Sequence, residues 1–323
     1  MSTIAVDAMG GDSAPEEVVK GAILAKKEGV DVILSGDENL IKSYLGNEKI
    51  PVINYPQVIS MDDDPAKAIR SNKDSSIIGA LNLVKEKKAD AVFSAGSTGA
   101  TLIGAISVLG KIKGVTRPTI ASVLPGKEKE VILVDSGANL EVKPKVLYQF
   151  AIMGSKLSEL LFDIENPRIG LINNGEESSK GRELEKATFK LLKSSQLNFI
   201  GNVEGKDFAN SKVDVFVTDG FTGNVVLKTL QGVAKLQQEL ISKSLKENLF
   251  KPLLIPVKNA ISPVKSMLNP NSTNGSYLLG VNGLVIIGHG SSNSEAIKNA
   301  LLFTSRAVEK RFINKFTEVS SEL

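Results

Sequence analysis

The chain has no cysteine, no tryptophan and a single histidine, His289, in 323 residues. Without cysteine there are no disulfides, thiolate metal sites, iron–sulfur clusters or cysteine nucleophiles. One histidine rules out a multi-histidine metal centre and makes His289 conspicuous. Aromatic residues are only 5% of the chain, which argues against base-stacking platforms. Lys+Arg 39 against Asp+Glu 36 leaves a net charge of +3, too balanced to suggest a nucleic-acid partner. Ala91–Gly110 carries no charge, but it holds four Gly and five Ser/Thr and reads as a buried strand, a tight turn and a buried helix, not a membrane span. Met1–Ala8 runs straight into a strand pattern, so no secretory segment is expected and the compartment read from the sequence is cytoplasmic.

What is present is a 42% hydrophobic, 23% charged chain of ordinary globular composition. Its length slightly exceeds the roughly 250–300 residues at which one core stops growing. The expectation is one α/β domain spanning 1–323, made of two intimate lobes. Short β-branched runs alternate with helical patterns. Strands are expected at Thr3–Asp7, Val30–Ser35, Val52–Tyr55, Ala91–Ser94, Ile120–Leu124, Val131–Asp135, Ile169–Asn173, Asn198–Ile200, Val213–Thr218 and Leu284–Ile287. Helix starts are expected near Pro15, Glu38, Ser75, Thr98, Pro144, Lys180, Thr222 and Ser294. Near-continuous apolar strands such as Val131–Val134 suit a mostly parallel sheet covered on both faces, hence a doubly wound αβα sandwich.

Residues 235–275 stand apart as a protruding helical, amphipathic element. Pro252, Pro256, Pro263 and Pro270 prevent one straight helix, yet Val257, Ile261, Val264 and Leu268 form an apolar stripe. Lys251, Lys258 and Lys265 recur every seven residues, and Phe250, Leu253, Leu254 and Ile255 crowd the start. Two readings stay open: a dimer-interface or core hairpin, and a basic amphipathic tip that touches an anionic membrane surface.

Chemistry is expected where strand ends run through glycine-bearing loops into helix starts. Five such junctions occur: Asp7–Pro15 with Gly10, Gly11 and Asp12; Ser94–Gly99 with Gly96, Ser97 and Thr98; Asn173–Gly181 with Lys180; Asp219–Asn224 with Gly223; and Gly288–Ser292 with Gly290 and Ser291. Ser13 and Glu16 fit a capping box. In an open parallel sheet all five would share the carboxyl edge, and glycine amides at helix N-termini favour anions such as phosphate. Gly104–Lys111 has the wrong spacing for a phosphate-binding P-loop, and no G-x-G-x-x-G, G-x-S-x-G or H-E-x-x-H is present. Asp7, Asp12, Asp135 and Asp219 follow strands, and capping explains them better than metal binding.

Taken in order, these loops, together with Phe199–Gly205, Asp64-Pro65 with Arg70, Arg117-Pro118, Lys143-Pro144 and Lys180-Gly181, resemble the bacterial phosphate acyltransferases over essentially the whole chain. The resemblance implies an αβα sandwich akin to phosphotransacetylases and isopropylmalate dehydrogenases, and a homodimer. It implies transfer of a fatty acyl group from acyl carrier protein to inorganic phosphate, with no cofactor or metal. The acyl phosphate would then pass to a membrane glycerol-3-phosphate acyltransferase for phospholipid synthesis, which places the protein against the inner face of the cell membrane. Ser97, Ser13, Asn174, Arg182 and Asn274 depart from the family pattern; Ser13 stands where His is frequent, so that histidine is not required here.

With no cysteine and no serine nucleophile elbow, direct attack of phosphate on the thioester is expected. The protein then has to hold the anion near the carbonyl and offset the charge that develops there. Lys180 and Lys228 are candidates for phosphate charge, Asn224, Ser291 and Ser292 for hydrogen bonding, and amides at Ser97–Gly99 or Gly290–Ser292 for an oxyanion hole. His289, between two glycines, suits phosphate binding or protonation of the leaving thiolate. Two alternatives remain, a short-chain phosphotransacetylase using acyl-CoA and a non-catalytic membrane-associated scaffold.

Overall fold

The computed structural model describes residues 2–248 and 275–318. Eleven strands form one sheet: β1 (Thr3–Asp7), β2 (Asp31–Gly36), β3 (Val52–Asn54), β4 (Ala91–Ser94), β5 (Thr119–Leu124), β6 (Val131–Val134), β7 (Ile169–Ile172), β8 (Phe199–Val203), β9 (Val215–Val217), β10 (Ser276–Leu279) and β11 (Leu284–Ile287). The helices are α1 (Glu16–Lys27), α2 (Glu38–Leu45), α3 (Pro65–Ser71), α4 (Ser76–Lys85), α5 (Thr98–Leu109), α6 (Pro144–Phe162), α7 (Glu183–Lys193), α8 (Gly220–Asn248), α9 (Ser294–Glu309) and α10 (Phe312–Thr317).

Alternation within the strands builds the layers. Val6, Leu34, Phe93, Val134 and Ile286 point to the face covered by α1, α6 and α9. Ala5, Val92, Ile120 and Val285 point to the face covered by α4 and α5. Further along that second face, Leu133, Val203 and Phe216 pack against Val226 and Leu227 of α8. Removing these apolar faces from water, at roughly 25 cal/mol per Å² of apolar surface, drives the three-layer arrangement.

The sheet order is β3-β2-β1-β4-β11-β10-β5-β6-β9-β7-β8. Seven neighbouring pairs are parallel, but β10 is antiparallel to β11 and to β5, and β5 is antiparallel to β6. Strands β6, β9, β7 and β8 therefore run opposite to β1–β4 and β11. This corrects the expectation of one shared carboxyl edge. The loops at 7–15, 94–99 and 288–292 leave one edge, and those at 173–181 and 219–224 leave the other.

Helix α8 closes the gap. It begins at the second edge, where the Gly220 amide donates to the Asn139 carbonyl at 2.7 Å, and it carries Lys228 to His289 at the first. Of the element expected at 235–275, α8 accounts for the chain to residue 248. The remainder, with Phe250, Leu253, Leu254, Ile255 and the lysine repeat, lies outside the described residues. The expected capping box at Ser13 and Glu16 does not form. Helix α1 starts without a side-chain cap, and Glu17 instead accepts the Ser294 amide at 2.6 Å, tying the starts of α1 and α9 together.

Candidate active site

Three glycine loops interlock at the first edge. The Asp12 amide donates to the Gly290 carbonyl at 2.8 Å. A Cβ on Gly10 would lie 2.6 Å from the Asp7 carboxylate and 2.7 Å from the Gly96 nitrogen, so only glycine permits this approach. Asp7 is buried at the end of β1 and accepts from the Ser94 hydroxyl at 2.6 Å, while Ser94 accepts the Gly96 amide at 3.1 Å. Burial pushes the Asp7 carboxyl above its usual range, and hydrogen bonds to Ser76, Ser94 and Met9 offset only part of that. Gly10, Gly11 and Asp12 thus stand behind the other two loops as a brace.

In front of this brace lies a cavity of about 330 Å³. Its polar lining comes from Thr98, Ser122, Ser136, Asn224, Lys228, Gln231, Ser276, His289 and Ser292; its apolar lining includes Phe93, Ile120, Val123, Leu124, Leu227 and Ile287. The Lys228 ammonium lies 3.4 Å from His289 Nε2. On the other side of the ring, Nδ1 lies 2.8 Å from Ser291 Oγ and faces the Ser291 amide at 3.3 Å, so the imidazole is held between α8 and its own loop. Burial first, then the Lys228 charge, holds His289 below the ordinary histidine value, against a smaller opposing pull from Asp12. Hydroxyls from β5, β10 and the loop after β6 also meet at this cavity: Ser122 donates to Ser136 at 2.8 Å, which leaves Ser276 to donate to Ser122 at 2.8 Å.

Asn224 and Lys228 reach this site because α8 starts tight against the loop after β6. A Cβ on Gly223 would fall 1.9 Å from the Asp135 carbonyl oxygen. Asp135 is itself buried and gathers the amides of Gly137, Ala138 and Asn139 and the Asn139 side chain at 2.8–3.0 Å. That cluster holds Gly137 beside Asn224.

The other sequence candidates are placed differently. Ser97 accepts the Ala100 amide at 3.4 Å as the N-cap of α5, and Thr98 lines the cavity. Ser292 also lines it, whereas Ser291 orients the His289 ring. A Cβ on Gly99 would meet Pro65 at 2.7 Å, so that glycine serves the packing of α3 on α5. Asp219 accepts the Thr222 amide at 2.8 Å and pairs with Arg182, which also grips Glu185. Arg182, Glu185 and Thr222 border a second opening of about 550 Å³ with Asn173, Asn174, Gly181 and Thr218. Lys180 lies over Gly175 near this second opening, its carbonyl held by the Asn173 side chain at 3.1 Å, and lines neither cavity.

Sequence reasoning passed over Gln231 and the three serines. Gln231 was readable, since positions 224, 228 and 231 share one helical face. The serines were not, because their meeting depends on the antiparallel placement of β10. Among the described residues no group of His, Asp and Glu is arranged to hold a metal ion, and no helix is long and apolar enough to cross a membrane.

A family model described as "Fatty acid synthesis protein" matches residues 2–315. A phosphate acyltransferase from Pelotomaculum thermopropionicum is 45% identical over 319 residues, covering 96% of this chain and 92% of the relative. One from Desulfitobacterium hafniense is 45% identical over 327 residues, covering 99% and 97%. Among solved structures, a phosphotransacetylase from Staphylococcus aureus superposes with a TM-score of 0.61 at 18% identity, covering 94% of this chain and 93% of its own. A 4-hydroxythreonine-4-phosphate dehydrogenase from Klebsiella pneumoniae gives 0.55 at 13% identity, covering 94% and 98%. At such identities these two structures speak to the fold, which they share with this α/β sandwich. The near-full-length relatives say more: this chain belongs to the phosphate acyltransferase family and is an acyltransferase that moves acyl groups to phosphate.

Proposed function

We propose that the acyl donor is a fatty acyl thioester of acyl carrier protein, that inorganic phosphate is the acceptor, and that the acyl phosphate product feeds phospholipid synthesis. The observation that carries the reaction site is the Lys228–His289 pair, joined across the sheet by α8 at the wall of a cavity lined by both polar and apolar side chains. The fatty nature of the acyl group is supported by the family's description and by that apolar lining.

Phosphate, mostly dianionic near neutrality, sits against Lys228 with Asn224, Thr98 and Ser292 as further donors. One phosphate oxygen attacks the thioester carbonyl and a C–O bond forms. The resulting oxyanion collapses, the C–S bond breaks, and sulfur departs as thiolate. The Lys228–His289 pair supplies the proton that the thiolate takes up. Holding both reactants in one cavity removes much of the entropic barrier, and fixed charge offsets the oxyanion. The same reading includes a homodimer and peripheral contact with the inner face of the membrane.

The test is to compare carrier-protein and coenzyme A thioesters of hexadecanoate with acetyl-CoA as donors, following phosphate-dependent acyl phosphate by hydroxylamine trapping. Carrier-bound hexadecanoate should be the best donor, and Lys228→Ala should raise KM for phosphate about tenfold or more, the loss of one charge-assisted hydrogen bond. Turnover of acetyl-CoA alone would identify a short-chain phosphotransacetylase instead.

A further inference from the structure

From the shape of the same cavity we infer that its inner end is a channel for the acyl chain, and that Ala296 and Ala300 of α9 set how long a chain it accepts. The inference rests on the fatty-acyl reading above and deepens it.

The geometry follows from the helix. Ser292, Ala296 and Ala300 all line the one cavity. Ser292 lies beside His289 in the loop that opens α9, and Asn293 caps that helix, accepting the Ala296 amide at 2.9 Å. Each step of four residues advances about 6 Å along a helix, so from Ser292 to Ala300 the cavity runs about 12 Å inward from the histidine. Its surroundings change on the way. Lys228 and the Ser292 amide contact His289, whereas Ala296 and Ala300 are 5% and 3% exposed and line the same cavity as Phe93 and Val123.

Volume agrees with length. At about 30 Å³ per water-sized unit, 330 Å³ holds about eleven such units, which leaves room beside phosphate and the thioester for the first part of an acyl chain. Around Ala296 and Ala300 the lining includes Phe93 and Val123, and such apolar surface is best covered by carbon. The space exists because α9 presents alanine there. The adjoining Ile297 and Leu301 are 1% and 0% exposed and do not line the cavity. A larger side chain at 296 or 300 would enter the channel at different depths. Ala300 lies one helical turn deeper than Ala296.

The experiment measures kcat/KM for butanoyl, octanoyl and hexadecanoyl carrier-protein thioesters with inorganic phosphate, in the full-length enzyme and in Ala300→Leu and Ala296→Leu. Ala300→Leu should lower the hexadecanoyl-to-octanoyl ratio about tenfold, the discrimination a few misplaced methylenes produce. Ala296→Leu should also depress octanoyl relative to butanoyl. That graded pattern is one that general destabilisation does not mimic. Folded variants that keep the wild-type chain-length profile would overturn the proposal. Should either variant fail to fold, the wild type decides: a hexadecanoyl thioester with a mid-chain diazirine should crosslink to residues 294–309, and labelling confined to other segments would overturn it. A wild type that forms no acyl phosphate from any donor would sink the functional reading, whereas normal turnover with an unshifted profile sinks only the channel.

Discussion

Replacing Gly223 by alanine tests whether the start of α8 sets the catalytic geometry. In most helices this change is favourable, since glycine costs about 1 kcal/mol relative to alanine. Here the new Cβ would lie 1.9 Å from the Asp135 carbonyl oxygen, where real contacts do not fall under 3.0 Å. The difference obliges the first turn of α8, or the Asp135 loop, to move by at least about 1.1 Å. Overpacking of this kind typically costs 1–3 kcal/mol, which outweighs the propensity gain and lowers Tm by roughly 2–4 °C. The kinetic effect should be larger. Asn224 is the next residue and Lys228 lies one turn further, and a misplacement of 1 Å can cost about a hundredfold in rate. Gly232, in the same helix, has open space where its Cβ would be, so Gly232→Ala should raise stability by about 0.5–1 kcal/mol and leave kinetics unchanged. Thermal unfolding and steady-state acyl phosphate formation on both variants make the comparison. If Gly223→Ala matched Gly232→Ala in both measurements, the argument from close approach would be refuted.

Other expectations are simpler. Lys228→Met removes a cation that depresses the His289 pKa, so that pKa should rise, and an NMR titration of the single histidine would report it; a fall would contradict the geometry. Burial raises the Asp7 pKa above 3.8, so this group favours the fold at acid pH, and its contribution is lost as pH rises through the raised value. Asp7→Asn should therefore show a smaller decline in unfolding free energy above about pH 4 than the wild type, measured by urea denaturation across pH. Arg182→Ala leaves the buried carboxylates of Asp219 and Glu185 without their shared partner and should cost about 1–3 kcal/mol. That falls below the cost of breaking a fully buried pair because the guanidinium is largely exposed. An unchanged Tm would count against it.

Much of the fold could be read locally. β1, β4 and β11 have the bounds their apolar runs suggest, and α6 starts at the proline that favours a first turn. Helix α7 begins three residues after the expected Lys180, because Gly181 adopts a φ of +94° and Arg182 and Glu185 cap the start. Helix α3 went unread although Asp64-Pro65 signalled it: the Asp64 side chain accepts the Lys67 amide at 2.8 Å and Pro65 occupies the first turn. Strand direction was out of reach. β10 is four residues long and owes its place to β5, whose Ser122 lies opposite Ser276, 154 positions away in the chain. No local pattern encodes that pairing; the reversal that divides the five loops between two edges arises instead at the antiparallel step from β5 to β6, since β10, antiparallel to both β11 and β5, leaves those two running the same way. The loops themselves were legible because glycine is demanded wherever backbones touch.

The path of α8 has a consequence for how the enzyme works as a whole. Its root is clamped to one half of the sheet by Asp135 and Asn139, while its lysine meets a histidine that belongs to the other half. The distance between those two nitrogens is therefore a gauge of how the halves are registered. Any twist of one half against the other would change the separation of those two nitrogens, so the sheet's own rigidity is what keeps the pair together.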